Sequence, residues 1–288
     1  MKRNLILIFI ITVSKLLFSQ QNYEFNYIGT LIVENNKPIT YSIHFDKINN
    51  KVNGFSVTNI GNEHETKSDL SGLYFKNDKS FQLIENSVIA TKSKEDINNF
   101  CFVKMELFEK GKFNKKRLEG SFTGYFKNDS ICANGTIILI PKNKFEKKIK
   151  KIEKKLNKID KLISGNDVFK NDKKTILKSG DQHSIYCENK KIKIEISDAD
   201  LEDGDKIELK INDVIVLENY TTTTKTKTIT YNLKKEETHI QIKSISDGKS
   251  PPNTSVVKII DGENINPVVA KMNKNQIIKI KLIYNKEK

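Results

Sequence analysis

Residues 39–45 read Ile39-Thr40-Tyr41-Ser42-Ile43-His44-Phe45, with a large apolar side chain at every second position. That period of two is the mark of a half-buried β-strand, whose successive side chains point to opposite faces. The same beat returns in Leu118-Glu119-Gly120-Ser121-Phe122-Thr123-Gly124-Tyr125-Phe126, where glycines in the apolar phase signal a bend or a close backbone approach. Further runs lie at Phe25–Val33, Phe55–Ile60, Leu70–Phe75, Phe81–Ala90, Phe100–Phe108 and Gly135–Ile140. Turn formers separate them, among them Asn49-Asn50, Lys76-Asn77-Asp78, Lys110-Gly111 and Asn128-Asp129. Short strands with tight connections and no helical stretch between them predict an antiparallel β-barrel or sandwich over residues 21–141.

The period changes at Pro141. Phe145, Ile149, Ile152, Leu156, Ile159 and Ile163 recur at alternating spacings of four and three, which is the apolar stripe of an α-helix. Residues 142–179 are therefore expected to be a lysine-rich amphipathic helix followed by a polar linker. The stripe suits a spacer helix laid on a neighbouring module, a weak homo-oligomeric seam through 145–163, or attachment to a surface.

Alternation resumes near residue 180. Ile192-Ile194-Ile196, Ile207-Leu209-Ile211, Ile229-Tyr231-Leu233, Ile240-Ile242, Val257-Ile259 and Ile278-Ile280-Leu282 each keep one phase. Asn212-Asp213 supplies a two-residue hairpin turn, and the Thr221–Thr224 run reads as an exposed edge or loop. Seven or eight strands over 180–288 fit an Ig-like β-sandwich. The chain is thus expected to be mostly β, with two modules joined by one helix.

The N-terminus sets the compartment. Lys2 and Arg3 precede an apolar run from Leu5 to Val13, and Ser19 offers a small residue for processing. Residues 1–20 are the layout of a secretory signal peptide, too short in its apolar part to span a bilayer. No later apolar stretch is long enough to cross a membrane, so the mature chain is expected without a transmembrane span, in a secreted, periplasmic or cell-surface location. The formal charge of +14 suggests a nucleic-acid binder until it is located along the chain. Residues 142–178 hold 14 Lys against 5 acidic groups and the signal segment carries three more positive charges, so both modules together are close to neutral. No nucleic acid is expected as a partner; an anionic surface or a polysaccharide suits the helix better. In an oxidising compartment Cys101 and Cys132, each at the start of an apolar run, are candidates for a disulfide that would close about thirty residues and stabilise by about 3–4 kcal/mol. Cys187 is then left as a buried thiol.

The densest chemistry is acidic. Asp198, Asp200, Asp203 and Asp205 crowd around Gly204 between two strand runs, offering the carboxylate oxygens that a hard cation such as calcium takes. The spacing is not that of an EF-hand, because Asp203 stands where that loop needs glycine and Leu209 stands in place of its terminal Glu. The alternative is an acidic turn opening a hairpin. Asp203-Gly204-Asp205-Lys206-Ile207-Glu208-Leu209 followed by Ile211-Asn212, together with Ser250-Pro251-Pro252-Asn253-Thr254, resembles β-sandwich modules of secreted Gram-negative bacterial proteins. It is also similar to a stretch of some calcium-dependent carbohydrate-binding modules. That resemblance implies calcium and a polysaccharide ligand, although the C-terminal module has no Trp and few Tyr for sugar stacking. Residues 22–140 have a lipocalin-like strand count, which speaks to topology alone.

Catalytic patterns do not emerge. The chain has no G-x-S-x-G elbow, Walker loop or H-E-x-x-H. His183 and Cys187 share a strand run without further zinc partners, and His64 lies in a charged turn. The reading is a non-enzymatic, exported or envelope-associated binding or scaffolding protein of unknown protein or polysaccharide partner, with no catalytic residues and no cofactor other than calcium. Its alternatives are a calcium-dependent polysaccharide binder and a lipocalin-like carrier of an apolar ligand.

Overall fold

The computed structural model describes residues 23–34, 37–112, 116–156, 175–199 and 202–284. The proposed signal segment Met1–Gln20, the helix positions Ile159 and Ile163, and Asp200 lie outside these described residues.

Eight strands follow one another in an antiparallel meander: β1 (Phe25–Val33), β2 (Ile39–Ile48), β3 (Lys51–Thr58), β4 (Thr66–Phe75), β5 (Ser80–Thr91), β6 (Phe102–Lys110), β7 (Arg117–Tyr125) and β8 (Ile131–Pro141). Pairing of β1 with β8, at Gly29↔Leu139, and of β5 with β6, at Phe81↔Leu107, closes the meander into a barrel. Closure removes the exposed edges that an open sandwich would leave. Tyr41, Ile43 and Phe45 point inward and are fully buried beside Phe81, Leu107, Leu118, Ile137 and Leu139. An eight-stranded barrel is just wide enough for side chains to fill it, and these fill it. Each such residue contributes on the order of 1.5–3 kcal/mol by burial.

The polar phase of β2 is not solvated as simple alternation would have it. Ser42 and His44 are also fully buried, because a second cluster of Ile28, Phe55, Val57 and Ile60 covers the outside of the barrel there. Phe145 of α1 (Lys142–Leu156) packs against this cluster, so the helix begins by docking on the barrel's outer face. The Cys101 and Cys132 sulfurs are at bonding distance with their Cα atoms 6.1 Å apart, within disulfide reach. They meet over β7 at Gly124, where an added Cβ would lie 2.3 Å from Cys101 Sγ.

Ten further strands form two facing layers. One layer has the order β13 (Val214–Thr221), β12 (Asp205–Ile211), β15 (Glu237–Asp247), β18 (Ile277–Tyr284) and β10 (Gln182–Cys187). The other runs β14 (Lys227–Asn232), β11 (Lys191–Asp198), β16 (Asn253–Asp261), β17 (Asn264–Met272) and β9 (Thr175–Leu177). Their inward residues, Ile192, Ile194 and Ile196 against Ile207, Leu209, Ile240 and Ile280, make one apolar core. Two expectations change here. β9 falls inside the stretch expected to be linker and is a strand there, paired in parallel with β17. The two layers also hold more strands than expected, because β9 is three residues long and β13, with Val214 67% and Ile215 47% exposed, carries no buried-face alternation.

The modules share a sheet. β5 pairs with β6 as far as Ile84↔Lys104, then departs and pairs with β10 at Ala90↔Ile185 and Thr91↔Ser184.

Candidate metal centre

The acidic loop lies at one end of the second module, and strand phase explains why. Asp198 follows Ile192, Ile194 and Ile196 in the inward phase of β11; Asp205 precedes Ile207, Leu209 and Ile211 in the inward phase of β12. Each layer therefore sends one carboxylate into the space between the layers, where the rest of the phase is aliphatic. Asp198 is 9% and Asp205 3% exposed. Asn253 and Ser255 do the same on β16 and are fully buried, so the apolar core ends in a polar layer.

Backbone donors fix the carboxylates. Asp205 Oδ2 accepts from Thr254 N–H at 2.9 Å, and Asp203 Oδ2 accepts from Ser250 N–H at 2.8 Å. Gly248, at φ +60°, lets the backbone approach Asp203; a Cβ there would stand 2.3 Å from Asp203 Oδ1. The Thr222 hydroxyl, 1% exposed, reaches Asp198 Oδ2 at 3.5 Å and its N–H donates to Asp205 O at 2.9 Å. Thr222 was expected in an exposed run; it is buried because the β13–β14 connection folds over the acidic end. Glu202 accepts from both the N–H and the hydroxyl of Thr224 at 2.6 Å, which pins that connection to the acidic loop and lowers the Glu202 pKa.

Three of the four acids expected as calcium ligands are thus brought together: Asp198, Asp203 and Asp205 each offer a carboxylate oxygen, and these oxygens lie within 4.8 Å of one another. Two oxygens on a calcium ion, each at about 2.4 Å, are at most about 4.8 Å apart. Asp203 Oδ1 and Asp205 Oδ1 are buried and have no hydrogen-bond partner among the described residues. An ionised carboxylate buried this way is costly unless a cation or a proton neutralises it. Burial raises the Asp205 pKa to about 6, against the Thr254 hydrogen bond that lowers it, and Asp203, Asp198 and Asp247 add to the rise. The donors of the group are all oxygen, which selects a hard cation over zinc or copper.

Other singled-out residues have structural settings. His183 and Cys187 of β10 are buried: desolvation, with Lys92 nearby, holds the imidazole down to about 3, and desolvation pushes the thiol up to about 12. His64 is exposed in its turn.

No family model, no curated protein and no solved structure matches this chain. The reading of the centre rests on its own chemistry.

Proposed function

We propose that the chain is an exported, non-enzymatic binding protein whose C-terminal, Ig-like sandwich takes up one calcium ion at its acidic end. Met1–Gln20 directs it out of the cytosol, the barrel serves as a rigid platform, and calcium ties the two sheets together through Asp198 and Asp205. The observation that carries this reading is the pair of buried oxygens on Asp203 and Asp205, without a partner among the described residues, within one ion's reach of Asp198. The remaining coordination comes from backbone carbonyls and water, as is usual for calcium. A carrier of apolar ligands would need room inside the barrel, and the interior is occupied by Tyr41, Phe45, Phe81 and their neighbours.

Thermal unfolding tests the calcium reading. Millimolar calcium is expected to raise the melting temperature and EDTA to lower it, with about 2.7 kcal/mol gained at a hundredfold excess over Kd. An unchanged melting curve in both conditions would remove calcium from the account.

A further inference from the structure

We infer that the cleft between the two modules is a binding site for a neutral glycan chain. The inference is independent of calcium, whose centre lies at the other end of the second module. β11 runs from the cleft to the acidic end over eight residues, about 26 Å at the rise of a strand.

The cleft exists because β5 leaves the barrel for the sandwich. Its bridging stretch, Glu85–Ile89, forms the floor, and the two modules rise on either side around about 1800 Å³. That exceeds the several hundred Å³ that enclose a small molecule and suits an oligomer. Three half-buried aromatic residues, Phe102, Tyr125 and Phe126, come from the barrel; two more, Tyr186 and Tyr284, face them from the sandwich. Flat apolar rings match the C–H faces of sugar rings, and the phenolic tips of the three tyrosines match their hydroxyls. On the floor, the Asn86 amide is held by Asp69 Oδ2 at 2.7 Å and Ser71 Oγ at 3.0 Å, a planar hydrogen-bonding group in a fixed orientation.

Charge argues for neutrality. Five lysines line the cleft against five carboxylates, Asp69, Asp129, Glu188, Glu236 and Glu237, the Glu85 carboxyl being turned into the barrel, so neither sign of ligand is favoured by the field. Hydroxyl groups, which both donate and accept, find partners of each kind there. The sparse aromatic content of the second module does not count against stacking, since the barrel contributes most of the rings.

Calorimetric titration of the full chain decides it, with cellohexaose, laminarihexaose and mannohexaose as neutral probes and heparin and polyglutamate as charged ones. At least one neutral hexasaccharide is expected to bind saturably. Tyr186→Leu on one wall and Tyr125→Leu on the other are each expected to weaken it about tenfold, with EDTA leaving it unchanged. If one variant fails to fold, the other, on the opposite module, gives the answer alone. No binding of any neutral probe, binding of charged probes alone, or folded variants that bind like the wild type would overturn the assignment. Loss of binding in EDTA with the fold intact would also overturn it, by moving the ligand to the acidic end.

Discussion

Asp205 concentrates the physics of the acidic end in one side chain. Its pKa rises on folding from the ordinary 3.8 to about 6, so the folded chain holds this proton more tightly than the unfolded chain. The sign of the linkage follows: Asp205 favours the folded state below about pH 4, and that contribution is lost as the pH rises through about 6. Asp205→Asn keeps an acceptor for Thr254 N–H and removes the charge. Without calcium at pH 7.5 the variant is expected to melt higher than the wild type, and adding calcium is expected to reverse the order. A variant that melts lower without calcium would show that the carboxylate is serving an ordinary structural bond. The position was legible from strand phase, because Asp205 and Asp198 stand where the alternation demands core residues. Thr222 and Gly248 were not, since each reaches the centre from a turn distant in sequence, and Ser250 and Thr254 were visible only as part of the resemblance, without their backbone bonds to Asp203 and Asp205. Glu85 is another buried carboxylate, 4% exposed in the barrel interior, and burial raises its pKa. It accepts from Tyr41 Oη at 2.8 Å, Ser56 Oγ at 2.5 Å and Val103 N at 2.9 Å. Glu85→Ala strands three donors inside the barrel and is expected to cost about 2–4 kcal/mol in urea unfolding, with Glu85→Gln costing less. Equal and small losses for both variants would show that those donors find other partners.

At the scale of elements, the meander β1–β8 was readable nearly strand by strand, because alternation and turn residues act locally. Closure into a barrel was not readable. It depends on β1 meeting β8 across more than a hundred residues, and a sandwich satisfies the same local pattern. The helix start was legible from the switch of period at Pro141, while its docking depended on Phe145 finding the cluster of Ile28, Phe55, Val57 and Ile60, whose members lie far from it in sequence. Cys101 and Cys132 were paired from their positions; the role of Gly124 between them needed the strand register, in which β7 lies between β6 and β8. Cys132→Ser is expected to lower stability by about 3–4 kcal/mol, the value for a loop of 31 residues, with one free thiol gained at Cys101 in a thiol assay. Gly124→Val is expected to lose stability as well, because its side chain occupies the space of the sulfurs. A Gly124→Val protein as stable as the wild type would contradict the crossing.

Over the whole molecule, the barrel and the sandwich are linked by β5, and the sandwich has two ends with different chemistry. One end faces the barrel across an aromatic cleft with balanced charge; the other turns buried carboxylates inward. The sequence shows the acids because they are close together in it, and hides the cleft because its walls come from strand ends and turns far apart along the chain. We propose that the acidic end is built for a divalent cation. Calorimetric titration of the metal-free chain with calcium chloride tests it most directly, at pH 7.5 and again at pH 5.0. One ion is expected per chain at pH 7.5, with weaker binding at pH 5.0, where Asp205 must first lose its proton. Absence of a saturable heat at pH 7.5, or an affinity unchanged between the two pH values and unaltered by Asp205→Asn, would contradict it.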